Sequence, residues 1–200
     1  MTQHSQTVGE FLGDSVADTI PQVLMSTAHA QAGRCWNIAI SRQHDWLVRE
    51  AFLRCWTYLA LMGEVSRVEA TKMLRSFPKD GGLPADSFLW TGWLTAIADL
   101  GLDQLVPVVE ETIATGQLEM NSLAILSSDI DVFYNDLHEA NSVQRTPEEF
   151  TKWKLRKRYT PFSEAYEDFF RAARHVISGV NSTAAAGLRA AEDPNVFDSF

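Results

Sequence analysis

The side chains best suited to holding a cation cluster late in the chain: Asp129, Asp131, Asp136, His138 and Glu139. Carboxylates and imidazole are what a divalent ion takes as ligands, but the spacing works against a site. Asp129 and Asp131 are two apart, so on a helix they point about 200° away from each other. A single ion would need ligands from other segments. Acids in a first helical turn more simply answer the positive end of the helix dipole, and no metal is expected. The histidines, His4, His29, His44, His138 and His175, form no H-x-x-x-H or other ligand spacing. No nucleophile elbow, phosphate loop or dinucleotide fingerprint is present. Cys35 and Cys55 are too few for a disulfide framework or a zinc cage. Both sit among apolar residues, and nothing in the sequence argues for the depressed pKa a thiol nucleophile needs, so both are read as buried thiols. No catalytic residue is assigned and no cofactor is expected.

The best binding candidate is basic. Lys152, Lys154, Arg156, Lys157 and Arg158 run with Trp153 and Tyr159 interleaved. Cations with aromatics suit phosphate contact and base stacking. They also suit an acidic protein surface, or simply a solvated helix face docked on the chain's own acidic body. Among the tryptophans, Trp90 falls beside the apolar stripe of its helix. It is the candidate for an exposed interface anchor, with burial against the next helix pair as the alternative.

Composition narrows the function classes. The chain has 200 residues, 46% hydrophobic and 22% charged, the profile of a soluble globular domain with a real core. The formal charge of −9 argues against bulk nucleic-acid binding, which needs phosphate neutralisation. No apolar run approaches the roughly 20 residues that span a bilayer. The start, MTQHSQTVGEF, has neither the basic nor the apolar part of a signal peptide. The expected location is the cytoplasm, with no membrane partner.

Helices must position these residues. Asp45 is placed to cap a helix running to Gly63, with Trp46, Val48, Phe52, Cys55, Trp56, Leu59 and Met62 on one face. Gly63 ends it by turning left-handed. Ser66 and Glu69 form a capping box for a second helix ending near Pro78. The cycle repeats from Asp86 to Gly101, with Phe88, Leu89, Trp93, Leu94, Ile97 and Leu100 as the stripe, and from Leu102 to Gly116, where Pro107 is expected to bend or shorten the helix. Setting Gly63 against Gly101 pairs Trp56 with Leu94, Leu59 with Ile97 and Val68 with Val106. The period is about 40 residues, in the range of helix-pair repeats. Upstream, Asp18 is expected to cap a helix from 19 to about 29, Gly33 to break the chain, and residues 34–41 to form a second short helix. Downstream, 117–127 reads as a loop with Met120, Leu123 and Ile125 turned inward. A helix from 129 to about 138 follows, capped by Ser128, then a polar connector over 140–145. Thr146-Pro147-Glu148-Glu149 then opens the basic helix. Ser163 is expected to cap a last helix, and Phe197 and Phe200 to dock from a mobile tail. No stretch alternates as a strand would.

VREAFLRCWTYLALMGEVSRVEA and FLWTGWLTAIADLGLDQLVPVVEETIATG resemble the DUF1186 family, largely bacterial proteins of unknown function with HEAT-like helical repeats. The resemblance runs from Gly9 to about Asp136 and is strongest over Trp93–Leu102. It implies a helical repeat fold and supplies no active residues. The chain departs from the family in beginning almost at the Gly13-Asp14 segment and in lacking the cysteine-rich zinc-binding tail of some members.

The expected fold is all-α: a short HEAT-like superhelix of stacked helix pairs with an appended C-terminal helical segment. The divisions are a disordered 1–10, a repeat domain over 11–140, packed C-terminal helices over 141–178 and a mobile tail over 179–200. The expected function is a protein–protein interaction scaffold or adaptor, monomeric or weakly dimeric, and enzymatic activity is not expected. A nucleic-acid-associated factor using 152–159 comes second, and a helical enzyme with an acidic site near 129–139 third.

Overall fold

The computed structural model describes residues 15–85, 87–119, 127–143 and 146–162. The chain divides into two units, Met1–Phe162 and Ser163–Phe200, and every described residue lies in the first. Expectations for residues 1–10, for Met120, Leu123 and Ile125, and for everything after Phe162 fall outside the described residues.

The helices are α1 (Ser15–Thr27), α2 (Ala32–Ile40), α3 (Trp46–Leu61), α4 (Arg67–Asp80), α5 (Leu89–Asp99), α6 (Val106–Ala114), α7 (Ser127–Val143) and α8 (Pro147–Arg156), with a 3-10 turn over Asp103–Leu105. The described residues are all-α and contain no strand. α1 and α2 pack on α3, α3 on α5 and α5 on α7. α4 leans on α5 and the 3-10 turn, and α8 lies on α7. Trp36, Trp56, Phe77, Leu74, Trp93 and Trp153 are among the large side chains of the common core. Phe162 N–H donates to Ser26 Oγ at 2.7 Å and returns the chain after α8 to α1.

Local chemistry accounts for the helix ends. Asp45 caps α3 by accepting from Leu47 N–H at 2.9 Å, and Ser66 caps α4 by accepting from Glu69 N–H at 3.2 Å. At the other ends one device recurs. Gly63, Gly101 and Gly116 have φ of 86°, 63° and 71°. Each amide reaches back three residues, and the next reaches back five: Glu64 to Leu59, Leu102 to Ile97, Gln117 to Thr112. A fourth instance closes α8, where Tyr159 N–H returns to Lys154 and the left-handed residue is Arg158, φ 58°. Two arginines tie helix ends together, as cations do at the negative pole of a helix. Buried Arg49 donates to Ala39 O and Gly81 O, each at 2.9 Å, and Arg67 donates to Leu100 O at 2.9 Å and to Gly101 O.

Several expectations are corrected. α1 begins at Ser15, ahead of Asp18, and Gly33 lies in the first turn of α2 rather than in a break. Pro107 lies in the first turn of α6, where its missing N–H has no intrahelical partner to lose; of the two expected effects, the helix is shortened to Val106–Ala114 and not bent. Pro78 is inside α4, which continues to Asp80. α7 runs on to Val143, through the first residues of the expected 140–145 connector. On α3, Trp46, Val48 and Met62 are exposed while Arg49, Ala51, Leu53 and Thr57 are buried. A helix with α1, α2 and α5 around it buries more than one face, and a single stripe misreads it.

Candidate functional site

α3 presents Trp46, Leu47, Glu50, Arg54 and Thr57 along one face, and α5 presents Phe88, Thr91, Gly92, Thr95, Ala96 and Asp99 along another. Both sets recur at three- and four-residue steps, so each is a helix face. Between them lies a cleft of about 520 Å³, closed by Asp129 from α7 and by Lys157 and Tyr159 from the turn after α8. Gly92 brings the helices close: a Cβ there would sit 3.4 Å from Leu53 Cδ2 and 3.5 Å from Glu50 Cγ.

The rim is aromatic. Trp46 and Phe88 keep 44% and 46% of their surface exposed and face each other at 5.0 Å between ring centroids. The floor is ionic. Asp99, 1% exposed, accepts from Tyr159 O–H at 2.7 Å and lies 3.4 Å from Lys157 Nζ. Lys157 also meets Asp136 of α7 at 2.5 Å. Arg54 donates to Lys157 O at 3.0 Å and sets its guanidinium 5.9 Å from the centre of the Tyr159 ring. An acid in the last turn of a helix opposes the dipole. Asp99 is held there by Lys157 and Tyr159, both from the turn after α8.

The electrostatics follow from burial. Desolvation pushes the Asp99 carboxyl up from its ordinary range, against the pull of Lys157 and the Tyr159 hydroxyl. Burial also pushes the Tyr159 phenol well up, and the charge of Asp99 adds to this. For Lys157, burial works to lower the pKa, but the carboxylates of Asp99 and Asp136 outweigh it and the net shift is upward.

The basic segment is thus spread over the fold rather than presented as one surface. Lys152 pairs with Glu148 one turn earlier at 2.6 Å, and Arg156 pairs with Glu139 of α7. Lys154 lies over the Phe150 ring at 5.2 Å. Lys157 belongs to the cleft floor, and Arg158 makes the left-handed turn that aims Lys157 and Tyr159 inward. Trp153 is fully buried between Phe150 and Tyr159, at 5.9 and 6.1 Å, so the interleaved aromatics are core rather than stacking platforms. Trp90 follows the burial alternative rather than the exposed one. It is buried, donates from Nε1 to Pro84 O at 2.9 Å and meets Trp93 edge-on. α5 is enclosed on nearly every side, so a residue beside its stripe is buried too.

The acidic cluster disperses likewise. Asp129 turns to the cleft, Asp136 and Glu139 take Lys157 and Arg156, and Asp131 and His138 are exposed. Among the described residues no group of His, Cys, Asp and Glu side chains is placed to hold a metal ion, and no helix is long and apolar enough to cross a membrane. Reading by motif missed Glu50, Arg54, Asp99 and the Trp46–Phe88 pair. One signal was available: Thr91, Thr95 and Asp99 recur every fourth residue along an otherwise apolar α5, a polar stripe where a buried helix has no use for one. The chain matches no protein-family model, no curated protein and no solved structure.

Proposed function

We propose that the chain is a protein–protein interaction adaptor that holds a basic segment of its partner in the α3–α5 cleft. The observation that carries this is the cleft itself, an aromatic rim over a floor in which carboxylates outnumber cations. Glu50, Asp99 and Asp129 line it against Arg54 and Lys157. A lysine or arginine side chain would pass Trp46 and Phe88, whose ring faces attract cations, and set its charge against Glu50 and Asp129. The row α3–α5–α7, with α1 beside α3, supports a short HEAT-like stack of helix pairs, as in the DUF1186 proteins that the chain resembles. Two free buried thiols support a reducing compartment such as the cytoplasm.

The nucleic-acid reading has less behind it, since Trp153 and Tyr159 are buried and Lys152, Arg156 and Lys157 are each paired with carboxylates. An enzyme reading draws on buried Asp99 at a cleft floor, where perturbed acids are often found.

The test is capture from native lysate at moderate salt by the tagged chain, with a photocrosslinking residue replacing Thr91. Wild type is compared with Trp46→Ala/Phe88→Ala and with Glu50→Arg. A protein crosslinked through a lysine- or arginine-bearing segment and lost with both variants supports the adaptor. Capture that both variants leave unchanged, or a crosslinked segment without basic residues, overturns it. Nucleic acid that is released as salt rises moves the weight to the basic helix.

A further inference from the structure

Outside the cleft, α2 and α3 bring two thiols together that neither the adaptor reading nor the fold requires to be thiols. Cys35 and Cys55 are both free and buried, and their sulfurs face each other at 3.9 Å. Cys35 also lines a separate cavity of about 370 Å³, beside Thr27, Gln31, Arg34 and Phe52. So Cys35, 2% exposed, borders that cavity, and Cys55 lies behind it in the middle of α3. A disulfide requires sulfurs at about 2.05 Å. Closing that gap takes a movement of roughly 2 Å.

The two thiols are not equivalent. A hydrogen bond joins the two sulfurs. This lowers the pKa of Cys35, with a further contribution from Arg34 and with burial and Glu64 opposing. The same contact, together with burial, pushes Cys55 up. Cys35 is therefore the thiol placed to become a thiolate first, and the thiolate is the nucleophile.

We propose that Cys35 and Cys55 are a reversible redox modification site, at which a hydroperoxide admitted beside Cys35 converts the pair into an intramolecular disulfide. In the first step the Cys35 thiolate attacks the distal peroxide oxygen. The S–O bond forms, the O–O bond breaks, and the alkoxide or hydroxide leaving group takes a proton. Cys35 is oxidised to the sulfenic acid and the peroxide is reduced by two electrons. In the second, Cys55 attacks the sulfenic sulfur. The S–S bond forms, the S–O bond breaks, and water leaves with the Cys55 proton. Two thiols and one hydroperoxide become one disulfide, one alcohol or water from the peroxide, and one further water. A cellular dithiol returns the pair to the reduced state by exchange.

The experiment treats the folded full-length chain with one equivalent of hydrogen peroxide, quenches with an alkylating agent, and counts thiols after unfolding. A non-reducing peptide map locates any bond. The expected result is loss of both thiols together, a single crosslink joining the peptides that contain residues 35 and 55, an unchanged monomer size, and recovery of both thiols with dithiothreitol. Cys55→Ser should halt the sequence at a sulfenic acid on Cys35 that dimedone traps. The wild-type map decides the matter even if that variant does not fold. Survival of both thiols in the folded chain overturns the proposal. So does oxidation of Cys35 to sulfinic acid, or a crosslink between chains, without the 35–55 bond.

Discussion

At the end of α3, Gly63 turns left-handed and the amides of Gly63 and Glu64 return to Ala60 and Leu59. At the end of α5, Gly101 does the same and the returning amides are those of Gly101 and Leu102, to Ala98 and Ile97. The backbone solution is one and the same, but the side chains it carries differ. Two residues before Gly63 stands Leu61, partly buried and apolar; two residues before Gly101 stands Asp99, almost wholly buried and charged. The first end asks only for apolar cover. The second needs Lys157, Tyr159 and, behind Lys157, Asp136. A shared cap therefore says where a helix stops and nothing about what its last turn is for. The α5 end is the floor of the cleft, and the turn after α8 is what completes it.

The largest effect should come from breaking the ionic floor. Lys157→Met leaves Asp99 buried without its cation and should destabilise the chain by about 3–5 kcal/mol, the usual cost of removing one partner of a buried pair. Leu61→Ala at the matching position of α3 should cost only about 1–2 kcal/mol, because the side chain is partly exposed. Urea unfolding of both variants checks this. Equal losses would mean that the two helix ends carry the same burden after all. Adding Asp99→Asn to Lys157→Met should recover part of the loss, since no charge is then stranded.

A smaller contrast lies in the glycines. A Cβ on Gly63 would meet nothing within 4 Å, so Gly63→Ala should cost about 1 kcal/mol, the penalty of a left-handed alanine. A Cβ on Gly101 would lie 2.5 Å from Asn141 Oδ1, the side chain that α7 bonds to Asp103. Gly101→Ala should therefore cost about 2 kcal/mol or more. Thermal melts of the two variants compare them directly, and an Asn141→Ala background should narrow the difference. Identical melting shifts would show that Asn141 yields at no cost.

The smallest effect is alkaline. Tyr159 is raised above the ordinary 10.0 and Lys157 above 10.5, so in each the folded chain holds its proton more tightly than the unfolded chain does. The stability each contributes is complete below its ordinary value and is lost as pH rises through the folded one. Unfolding free energy should therefore fall from about pH 10 upward. Tyr159→Phe should remove the part of that fall that begins first. A profile that stayed flat through this range in the wild type would contradict the coupling of Tyr159 to Asp99.

Much of this molecule was legible locally. An aspartate or serine ahead of an apolar run, and a glycine after it, act within about one turn on the backbone beside them. For that reason Asp45, Ser66, Gly63, Gly101 and Gly116 mark true helix ends. The left-handed turn after α8 was not legible, because Arg158 has no intrinsic preference for that conformation. It adopts it where Tyr159 is drawn to Asp99. For a related reason the sequence left Trp90 and Trp153 open between an exposed and a buried reading: how much of a helix is buried depends on how many neighbours surround it, and its own sequence does not count them.

The sequence alone determined the all-α class, the helix ends at Asp45, Gly63, Ser66, Gly101 and Gly116, and the richness of the core, since propensity, capping and apolar periodicity are properties of neighbouring residues. The cleft was decided only in three dimensions. Asp99 and Tyr159 are separated by 60 positions, and Cys35 and Cys55 by 20. A carboxylate acquires a shifted pKa, and a thiol acquires a partner, only when folding removes water from between groups that the chain itself holds apart.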